Sequence, residues 1–311
     1  MMSDSRKRPK IVVFCGPTAI GKTGVTIEMA ERFSGEVVGA DSMQIYRFMD
    51  IGTAKPTAGE RRCVPHHMID VADPDAGYDA ARFVKQSRAA IDDIVKRRRL
   101  PMAAGGTGLY IRAMLYGLCD AKPEDPSVRK QLKAEAEARG GRYLYDRLLR
   151  CDPASAERIH PHDTYRVVRA LEIFDITGEP MSRYRQRHRF SDAPFDALKI
   201  GLFMDRPALY ERINRRVEQM VAEGLYGEVE NLLRRGYGKD LKPMQALGYR
   251  HMIAYMDGKM DWQTAVETLK RDTRRYAKRQ LTWFRADPEV EWMAPDQPAA
   301  IEAKIRKFLD S

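Results

Sequence analysis

Eight consecutive residues near the start of the chain have the spacing G-x-x-x-x-G-K-[ST], which is typical of phosphate-binding loops. They are Gly16, Pro17, Thr18, Ala19, Ile20, Gly21, Lys22 and Thr23. In such a loop the backbone amides of residues 18–23 face the phosphates, Lys22 supplies a positive charge, and the Thr23 hydroxyl can bind a magnesium ion. The spacing therefore predicts an oligophosphate site, although it does not identify the ligand.

Asp41 is the second candidate for chemistry. It follows the apolar run from Glu36 to Ala40, so it stands at the carboxyl edge of a predicted sheet, where open α/β folds bind ligands. There it could bind magnesium through water, or act as a general base toward an acceptor beside the terminal phosphate. An aspartate at a strand end is also typical of a turn or a helix N-cap, and the residue alone does not decide among these roles.

Two further patches carry less information. Residues 105–108, Gly-Gly-Thr-Gly, predict a strand-to-helix turn in which the glycines permit close backbone approach and Thr107 is the only hydroxyl. His66 and His67 suggest a metal site, but adjacent residues of a strand point to opposite faces, so a structural role is favoured. The chain has no second apolar strand ending in Asp-Glu and no base-specificity signature of GTPases, which argues against a motor or switch ATPase.

The elements that must position these residues alternate as in an α/β fold. Strands are predicted at about residues 10–15, 36–40, 67–71, 100–104 and 198–204, and helices at about 23–33, 79–99, from 109 onward, 207–235 and 261–285. Residues 122–191 predict only helices, at about 127–139, 141–150, 153–159, 163–176 and 180–187. We therefore predict a P-loop NTPase-like parallel-sheet core, residues 1–120 and 196–311, with an inserted all-helical domain, residues 121–195.

The charge of the chain is unevenly distributed. It has 54 Lys and Arg against 44 Asp and Glu, a net charge of +10. Residues 129–189 hold 14 basic and 9 acidic residues, and residues 270–285 hold 7 basic and 1 acidic, so these two segments carry the whole excess. Such segments suit a polyanionic partner, because neutralising phosphates releases counterions, although solvated helix faces have the same composition.

The second basic segment has a helical pattern. A core-facing stripe is predicted from Thr273, Ala277, Leu281 and Phe284. The other faces carry Arg271, Arg274, Arg275 and Lys278. These cations are therefore placed where a polyanion could contact them.

Composition excludes several classes of protein. With 43% hydrophobic and 32% charged residues, the chain is typical of a globular protein with a buried core. No apolar run approaches the roughly 20 residues that cross a bilayer, and no signal-length stretch follows the basic N-terminus. Cys15, Cys63, Cys119 and Cys151 are far apart, which argues against a zinc ribbon or a disulfide framework and favours reduced thiols. We expect a cytoplasmic monomer without membrane contact.

Several stretches together resemble the tRNA dimethylallyltransferases, also called isopentenyl-diphosphate:tRNA transferases. They are G-P-T-A-I-G-K-T at 16–23, D-S-M-Q-I-Y at 41–46, M-D-I-G-T-A-K-P at 49–56, G-G-T-G-L-Y at 105–110, R-I-H-P at 158–161, R-A-L-E at 169–172, G-Y-R at 248–250 and A-K-R-Q-L-T-W-F-R at 277–285. They occur in family order over nearly the whole chain, which is far more specific than the P-loop alone. The chain is similar to bacterial members, which lack the C-terminal zinc-finger module of many eukaryotic relatives.

The resemblance implies transfer of a dimethylallyl group from dimethylallyl diphosphate to the exocyclic amine of the adenine just 3′ of the anticodon. In that reaction the P-loop, with Mg²⁺ held partly by Thr23, binds the departing diphosphate, and the charge of Lys22 contributes to catalysis. Asp41 is implied as the base that removes the proton of the amine. Thr107 is implied to hydrogen-bond near the reacting adenine or the bridging oxygen.

The resemblance also implies a set of residues that contact the tRNA anticodon stem-loop, whose target adenine must leave its stack. They are Asp41, Ser42, Met43, Gln44, Thr107, Arg129, Tyr165, Arg166, Val167, Val168, Arg169, Gln245, Ala246, Leu247, Gly248, Tyr249 and Arg250. Arg166 and Arg169 are three residues apart on a predicted helix and would share a face that suits a phosphate or a splayed base. The inserted domain is accordingly expected to bind tRNA.

Three alternatives share the P-loop. An adenylate prenyltransferase resembles the core but uses AMP or ADP, and it usually lacks an extensive helical insert. A small-molecule kinase would hold ATP at the P-loop and use Asp41 to deprotonate an alcohol. A nucleic-acid-binding ATPase would bind nucleotide without prenyl chemistry. The acceptor that gains the prenyl group distinguishes these activities.

Overall fold

The computed structural model describes residues 8–118, 125–188 and 193–311 of the chain. These residues form two compact units, the first drawn from residues 1–115 and 194–311 and the second from residues 116–193. The junction predicted between residues 120 and 121 lies outside the described residues, as do Cys119 and Arg189.

The first unit is built on one parallel sheet. Its strands are β1 (Lys10–Cys15), β2 (Gly35–Gly39), β3 (His66–His67), β4 (Leu100–Gly105), β5 (Asp196–Leu202) and β6 (Val290–Met293). Their spatial order is β3-β2-β4-β1-β5-β6, and each neighbouring pair runs parallel. The predicted α/β class with a parallel sheet is confirmed.

The central strand β1 positions the P-loop. It lies between β4 and β5, and Cys15 is in register with both Gly105 and Gly201. Its residues 11–14 have no exposed surface, as expected of a parallel strand covered on both faces. Because all strands run in one direction, the turns after β1, β2 and β4 meet at one edge of the sheet.

Helices surround the sheet and make up the second unit. They are α1 (Lys22–Arg32), α2 (Ala58–Cys63), α3 (Ala80–Lys96), α4 (Gly108–Tyr116), α5 (Pro126–Arg139), α6 (Gly141–Cys151), α7 (Pro153–Ala156), α8 (Thr164–Thr177), α9 (Met181–His188), α10 (Arg206–Ala222), α11 (Leu225–Arg234), α12 (Tyr249–Met256), α13 (Trp262–Arg285) and α14 (Pro298–Asp310). The long helix α3 begins where the Asp79 carboxylate accepts from the Arg82 amide at 2.8 Å, which is an N-cap.

The strand predicted at residues 67–71 is wrong in extent, because β3 contains only His66–His67. Met68 and Asp70 have φ angles of 65° and 56°, which take the backbone out of the extended region. The Asp70 carboxylate accepts from Lys55 Nζ at 2.6 Å and Arg61 Nη1 at 2.8 Å. These two cations hold the chain in a turn where apolar composition alone predicts a strand.

The helix predicted at residues 207–235 is two helices. Gly224, with φ of 99°, separates α10 from α11 and gives the second helix its own N-terminus. Five elements were not predicted: α2, a 3₁₀ helix at Lys242–Gln245, α12, β6 and α14. Those before residue 285 have eight residues or fewer, so they show no clear hydrophobic period. β6 and α14 lie after the last recognised motif, which ends at residue 285.

The second unit contains α5 to α9 and no strand in its described residues. Its core includes Leu144, Leu148, Val167 and Leu171, none of which has exposed surface. Aspartate side chains cap three of its helices by accepting from backbone amides, namely Asp125, Asp152 and Asp163. N-capping by aspartate and buried leucine and valine residues on one face of α6 and of α8 therefore account for a helical module.

Within the described residues, no helix is both long and apolar enough to cross a bilayer.

Candidate active site

The P-loop joins the end of β1 to the start of α1. Gly21, with φ of 100°, is the N-cap, so Lys22 is the first residue of the helix. The Lys22 ammonium donates to the carbonyl oxygens of Gly16 at 3.1 Å and Pro17 at 2.8 Å. The Lys22 side chain therefore folds back over the phosphate-binding loop that the spacing of residues 16–23 predicts.

Burial lowers the pKa of Lys22 from its ordinary value to about 8. The negative charge of Asp41 opposes this change, and the positive charge of Arg216 adds to it. Lys22 is therefore a half-buried cation whose charge is sensitive to any anion placed beside it.

One predicted phosphate donor is corrected by the structure. The amide of Thr18 donates to Gln280 Oε1 at 2.8 Å, so it does not point freely into the loop. Ala19, with φ of 64°, then turns the chain. The backbone donors available to a phosphate are therefore those of residues 19–23, one fewer than predicted.

A cavity of about 720 Å³ opens from the P-loop. Its polar lining includes Thr18, Lys22, Thr23, Asp41, Gln44, Arg212, Arg215, Arg216 and Gln280. The three arginines come from α10 at i, i+3 and i+4, so they share one face of that helix. Together with Lys22 they make this cavity strongly positive, which suits an oligophosphate.

Sequence reasoning missed the α10 arginines, because it assigned the working charge of the core to Lys22 alone. Burial lowers the pKa of Arg216, while the charge of Asp41 opposes that effect, so the guanidinium is both desolvated and near a carboxylate. The only sequence signal is the spacing of Arg212, Arg215 and Arg216, and that spacing is equally common on solvated helix faces.

Asp41 lies two residues beyond the end of β2. Its Oδ1 accepts from the Met43 amide at 2.8 Å, which is the local turn contact expected of an aspartate at a strand end. The same side chain also lines the cavity described above. The turn role and the chemical role are therefore compatible in one residue.

Thr107 faces the same region from the turn after β4. Its Oγ1 accepts from the Ser42 amide at 3.0 Å, and its amide donates to the Ala40 carbonyl at 3.2 Å. Its hydroxyl also donates to Ser42 Oγ at 3.3 Å. Tyr276 of α13 lines the same cavity, and its pKa is raised by burial and by the charge of Asp41, so its phenol is neutral at ordinary pH. The structure therefore links Thr107 to the segment of Asp41 through Ser42.

A second cavity, of about 320 Å³, adjoins the first. It is lined by most of the residues predicted to contact tRNA in the first unit: Asp41, Ser42, Met43, Gln245, Ala246, Leu247, Gly248, Tyr249 and Arg250. Five residues line both cavities: Thr18, Asp41, Thr53, Arg216 and Tyr276. Asp41 therefore stands where a positively charged cavity and a less polar one meet.

Glu228 of α11 ties the walls of these cavities together. Its carboxylate accepts from the amides of Asp50, Ile51 and Gly52 at 2.8, 2.7 and 3.0 Å. It also accepts from the Tyr249 hydroxyl at 2.7 Å, and burial followed by this charge raises the pKa of that phenol well above its ordinary value. Tyr249 has no exposed surface. It is thus a structural anchor within a segment predicted to contact RNA.

Gln44 also has a local role. Its amide donates to the carbonyl oxygens of Thr53 at 3.1 Å and Ala54 at 3.0 Å. The segment 41–44 is therefore fastened to the loop at residues 50–54, which Glu228 holds from the other side. Gln44 lines the first cavity, in contrast to its neighbours Ser42 and Met43, which line the second.

In the second unit, Arg129 and Arg169 converge on Glu172, whose side chain is almost fully buried. Arg129 donates from Nε and Nη2 at 3.0 to 3.1 Å, and Arg169 donates from Nη1 at 2.8 Å. The predicted contact residues Arg129 and Arg169 are thereby held in fixed orientations on α5 and α8.

The predicted RNA-contact run on α8 is divided by the helix. Tyr165 is 80% exposed and Arg166 is exposed, whereas Val167 and Val168 are 0% and 5% exposed and belong to the hydrophobic core. Five consecutive residues of a helix cannot share one face. The prediction for the side chains of Val167 and Val168 is therefore wrong, and the exposed face is that of Tyr165 and Arg166.

The stripe predicted on α13 is partly correct. Ala277 and Phe284 are buried and Thr273 and Leu281 are half-buried, but Gln280 is also buried. Of the four cations predicted on the other faces, three are exposed, namely Arg271, Arg275 and Lys278. The fourth, Arg274, is half-buried and donates to Asn214 Oδ1 at 2.6 Å, so it packs within the first unit instead of facing outward.

The histidine pair has structural partners. His66 Nδ1 lies 2.7 Å from the Val64 carbonyl, and His67 Nε2 lies 2.7 Å from Glu36 Oε2. Among the described residues, no group of three or more His, Cys, Asp or Glu side chains is arranged to hold a metal ion. Cys15, Cys63 and Cys151 are free thiols.

Comparison with protein families and curated relatives agrees over most of the chain. A family described as IPP transferase matches residues 44–287, and one described as isopentenyl transferase matches residues 9–72. The tRNA dimethylallyltransferase of Desulfosudis oleivorans is 54% identical over 305 residues, which cover 97% of this chain and 96% of that protein. The tRNA dimethylallyltransferase 2 of Geotalea uraniireducens is 49% identical over 308 residues, 99% of each chain.

Solved structures give the same result. The full-length tRNA isopentenylpyrophosphate transferase of Bacillus halodurans superposes with a TM-score of 0.74 at 42% identity and covers 97% of both chains. A eukaryotic dimethylallyltransferase acting on tRNA superposes with a TM-score of 0.79 at 28% identity, over 92% of this chain and 74% of that one. Sequence identity and fold together show that this chain belongs to the IPP transferase family, as its motifs predicted.

Proposed function

We propose that this protein is a magnesium-dependent enzyme, acting as a cytoplasmic monomer, that transfers a dimethylallyl group from dimethylallyl diphosphate to tRNA. The acceptor is the exocyclic amine of the adenine on the 3′ side of the anticodon, and diphosphate is released. The observation that carries this proposal is the position of Asp41 at the junction of two cavities. A transferase with an anionic donor and a planar acceptor requires such a junction.

The larger cavity binds the diphosphate of the donor. Amides of residues 19–23 and the cations of Lys22, Arg212 and Arg216 surround the position that the phosphates would occupy. Negative charge accumulates on the departing diphosphate as the carbon–oxygen bond breaks, and cations already in place stabilise it without reorganisation.

The donor oxygens of this cavity fit a magnesium ion that arrives with the diphosphate. Thr23 offers a hydroxyl, which is a hard oxygen ligand and would hold the ion. Since the described residues offer no cluster of three or more His, Cys, Asp or Glu ligands, phosphate oxygens and water would supply the other ligands. When bound, the ion supplies further neutralisation of the leaving group.

Asp41 acts as the general base. The exocyclic nitrogen attacks C1 of the allyl group, the C1–O bond breaks with its electron pair going to diphosphate, and the nitrogen transfers a proton to Asp41. The Met43 amide fixes one carboxylate oxygen at 2.8 Å, which orients the other. Thr107, held by Ser42, lies on the same edge and can hydrogen-bond to the reacting groups.

The smaller cavity receives the adenine. Its volume of about 320 Å³ accommodates one base that has left its stack, and Gln245, Gly248 and Arg250 are among its lining residues. The exposed cations of α13 in the first unit, and separately the face of Tyr165 and Arg166 in the second, supply contacts to the RNA backbone.

An acceptor assay tests the proposal directly. Radiolabelled dimethylallyl diphosphate and Mg²⁺ are offered to the enzyme with unmodified tRNA, with AMP or with buffer, and ATP turnover is followed in parallel. Label should enter the tRNA. A matched tRNA with guanine at the target position serves as the control and should remain unlabelled. Labelling of AMP alone, or ATP turnover alone, would replace this proposal with one of the alternatives that share the P-loop.

Replacement of Asp41 tests the base. Asp41→Asn keeps an oxygen to accept from the Met43 amide but removes the basic carboxylate. We expect kcat to fall by about 10² to 10⁴, the range of general-base catalysis, with tRNA affinity in anisotropy titrations changed less than about threefold. Asp75→Asn, an exposed position, is the charge-matched control. A kcat close to that of the unsubstituted enzyme would remove Asp41 from the mechanism.

The pKa of Lys22 predicts how diphosphate binding depends on pH. Below about pH 8 Lys22 is already protonated before the anion binds. Above about pH 8 Lys22 is mostly neutral; the bound anion raises the pKa of Lys22, so the side chain takes up a proton when diphosphate binds. Affinity for inorganic diphosphate with Mg²⁺ should therefore weaken by up to about tenfold per pH unit above this pKa. Calorimetry in two buffers of different ionisation enthalpy measures the proton uptake.

Lys22→Arg is the control for this titration, because arginine stays charged throughout. The ionisation of the ligand itself is common to both proteins and cancels in the comparison. Proton uptake at about pH 9 should be greater for the unsubstituted enzyme than for the variant. Identical uptake by the two proteins would show that Lys22 does not titrate on binding.

Arg166 tests the RNA surface of the second unit. Its side chain is 62% exposed and pairs with Asp163 on its own helix. Arg166→Gln should weaken tRNA binding and reduce the slope of log K against log salt by about 1. Arg306→Gln is matched, since Arg306 is 63% exposed and pairs with Glu302 on its own helix. Equal slopes for the two variants would contradict phosphate contact by Arg166.

A further inference from the structure

Gln280 joins the two glycine-containing turns of the active site. It lies on α13, is 6% exposed, and lines the donor cavity. Its Oε1 accepts from the Thr18 amide of the P-loop at 2.8 Å, and its Nε2 donates to the Gly106 carbonyl at 2.9 Å. One side chain therefore bridges segments that follow two different strands, β1 and β4.

A carboxamide satisfies both contacts at once at any ordinary pH. The Thr18 amide needs an acceptor and the Gly106 carbonyl needs a donor, whereas an ionised carboxylate provides acceptors alone. The fit is also tight: a Cβ atom at position 106 would lie 2.1 Å from Gln280 Nε2. The absence of a side chain at Gly106 is therefore what admits the amide.

Both ends of this bridge lead to groups that act on the substrates. On one side, fixing Thr18 fixes the start of the loop that carries Lys22. On the other, Gly106 directly precedes Thr107, whose Oγ1 accepts from the Ser42 amide at 3.0 Å. Tyr276, one helical turn before Gln280, lines the same cavity as Gln280 and Asp41. The face of α13 that carries Tyr276 and Gln280 thus meets both substrate-binding segments.

We propose that Gln280 is a positioning residue of the transfer reaction, which sets the P-loop and the turn of Thr107 in their mutual register by accepting from Thr18 and donating to Gly106. This inference rests on the proposed function for its kinetic consequence. Gln280 acts through these backbone groups and does not itself touch the reacting atoms.

Gln280→Glu is the sharpest test, because it keeps the size of the side chain while the ionised carboxylate cannot donate to Gly106. It also adds one negative charge to the cavity, which the comparison variant Gln280→Met does not add. At about pH 8.5 we expect kcat to fall about 30-fold, with the KM for dimethylallyl diphosphate raised and the KM for tRNA changed less than about twofold. At about pH 6 the introduced carboxyl group can be protonated and donate again, so kcat should recover to within about threefold of the unsubstituted enzyme.

The pH profile is compared as a ratio to the unsubstituted enzyme. The titratable or charged groups that line the cavity are Lys22, Asp41, Lys55, Glu60, His66, Arg212, Arg215, Arg216 and Tyr276. They are present in both proteins, so their effects cancel to first order. Gln280→Met, which can neither accept nor donate, should lose activity equally at both pH values. Gln263→Glu, an exposed position on the same helix, should leave kcat unchanged.

Gly106→Ala approaches the same bridge from the other side. The added methyl group displaces the Gln280 amide without changing its chemistry, so the variant should share the loss of kcat. The double variant Gly106→Ala, Gln280→Ala should then be no worse than Gln280→Ala alone, because the two changes break one contact. Thermal unfolding of every variant verifies that the chain is folded before its kinetics are compared.

Inorganic diphosphate binding separates this inference from the proposed function. Calorimetry needs no acceptor, and Gln280→Glu should bind diphosphate about tenfold more weakly at about pH 8.5 and recover relative to the unsubstituted enzyme at about pH 6. If the unsubstituted enzyme labels no tRNA while this pattern holds, the function is wrong and the role of Gln280 stands. A Gln280→Glu variant that equals the unsubstituted enzyme at the higher pH, or one that matches Gln280→Met at both pH values, would overturn the inference.

Discussion

Close backbone approach at the carboxyl edge of the sheet is the constraint on which the site depends. A Cβ atom at position 105 would lie 2.0 Å from the Ala40 carbonyl oxygen, so only glycine permits β4 to end against the segment that leaves β2. That approach lets the Thr107 amide donate to Ala40 and its hydroxyl accept from Ser42. Asp41 lies between those two residues. The separation of Asp41 from Thr107 is therefore set by the absence of a side chain at position 105 of the parallel sheet, before any ligand contributes.

The electrostatics of the site follow from the same crowding. Lys22 and Arg216 are both desolvated, which lowers the pKa of each, and in both cases the charge of Asp41 opposes the effect. One carboxylate thus compensates half-buried cations that come from two different elements, α1 and α10. Under the proposed function, a bound diphosphate would bring negative charge to this cavity and relieve the mutual repulsion of these cations. It would then supply part of the counter-charge that Asp41 supplies in its absence, which leaves the Asp41 carboxylate free to act toward the second cavity.

The sequence predicted those parts of the site that depend on local spacing. The P-loop and Asp41 follow from strand ends and glycine positions, and the parallel sheet places them together. Gln280 could not be found in this way, since its partner Thr18 lies 262 residues away and a polar residue in a helical stripe gives no indication of what it bonds. Arg216 was missed because arginines at i, i+3 and i+4 are typical of solvated faces. Val167 was predicted to contact RNA because it belongs to a motif that is contiguous in sequence. Contiguous residues of a helix point in different directions, however, and Val167 packs in the hydrophobic core.

A single carboxylate holds several parts of the wall of the second cavity together. Glu228 accepts from the amides of residues 50–52 and from the hydroxyl of Tyr249, so it fixes the loop that carries Thr53 and the helix start beside Gly248. Gln44 then links that loop to the segment of Asp41. Each bond in this chain joins a side chain to backbone or to a buried phenol. A wall fixed through main-chain groups has little conformational entropy left to lose, which favours a slot that is formed before a ligand enters over one that forms on binding.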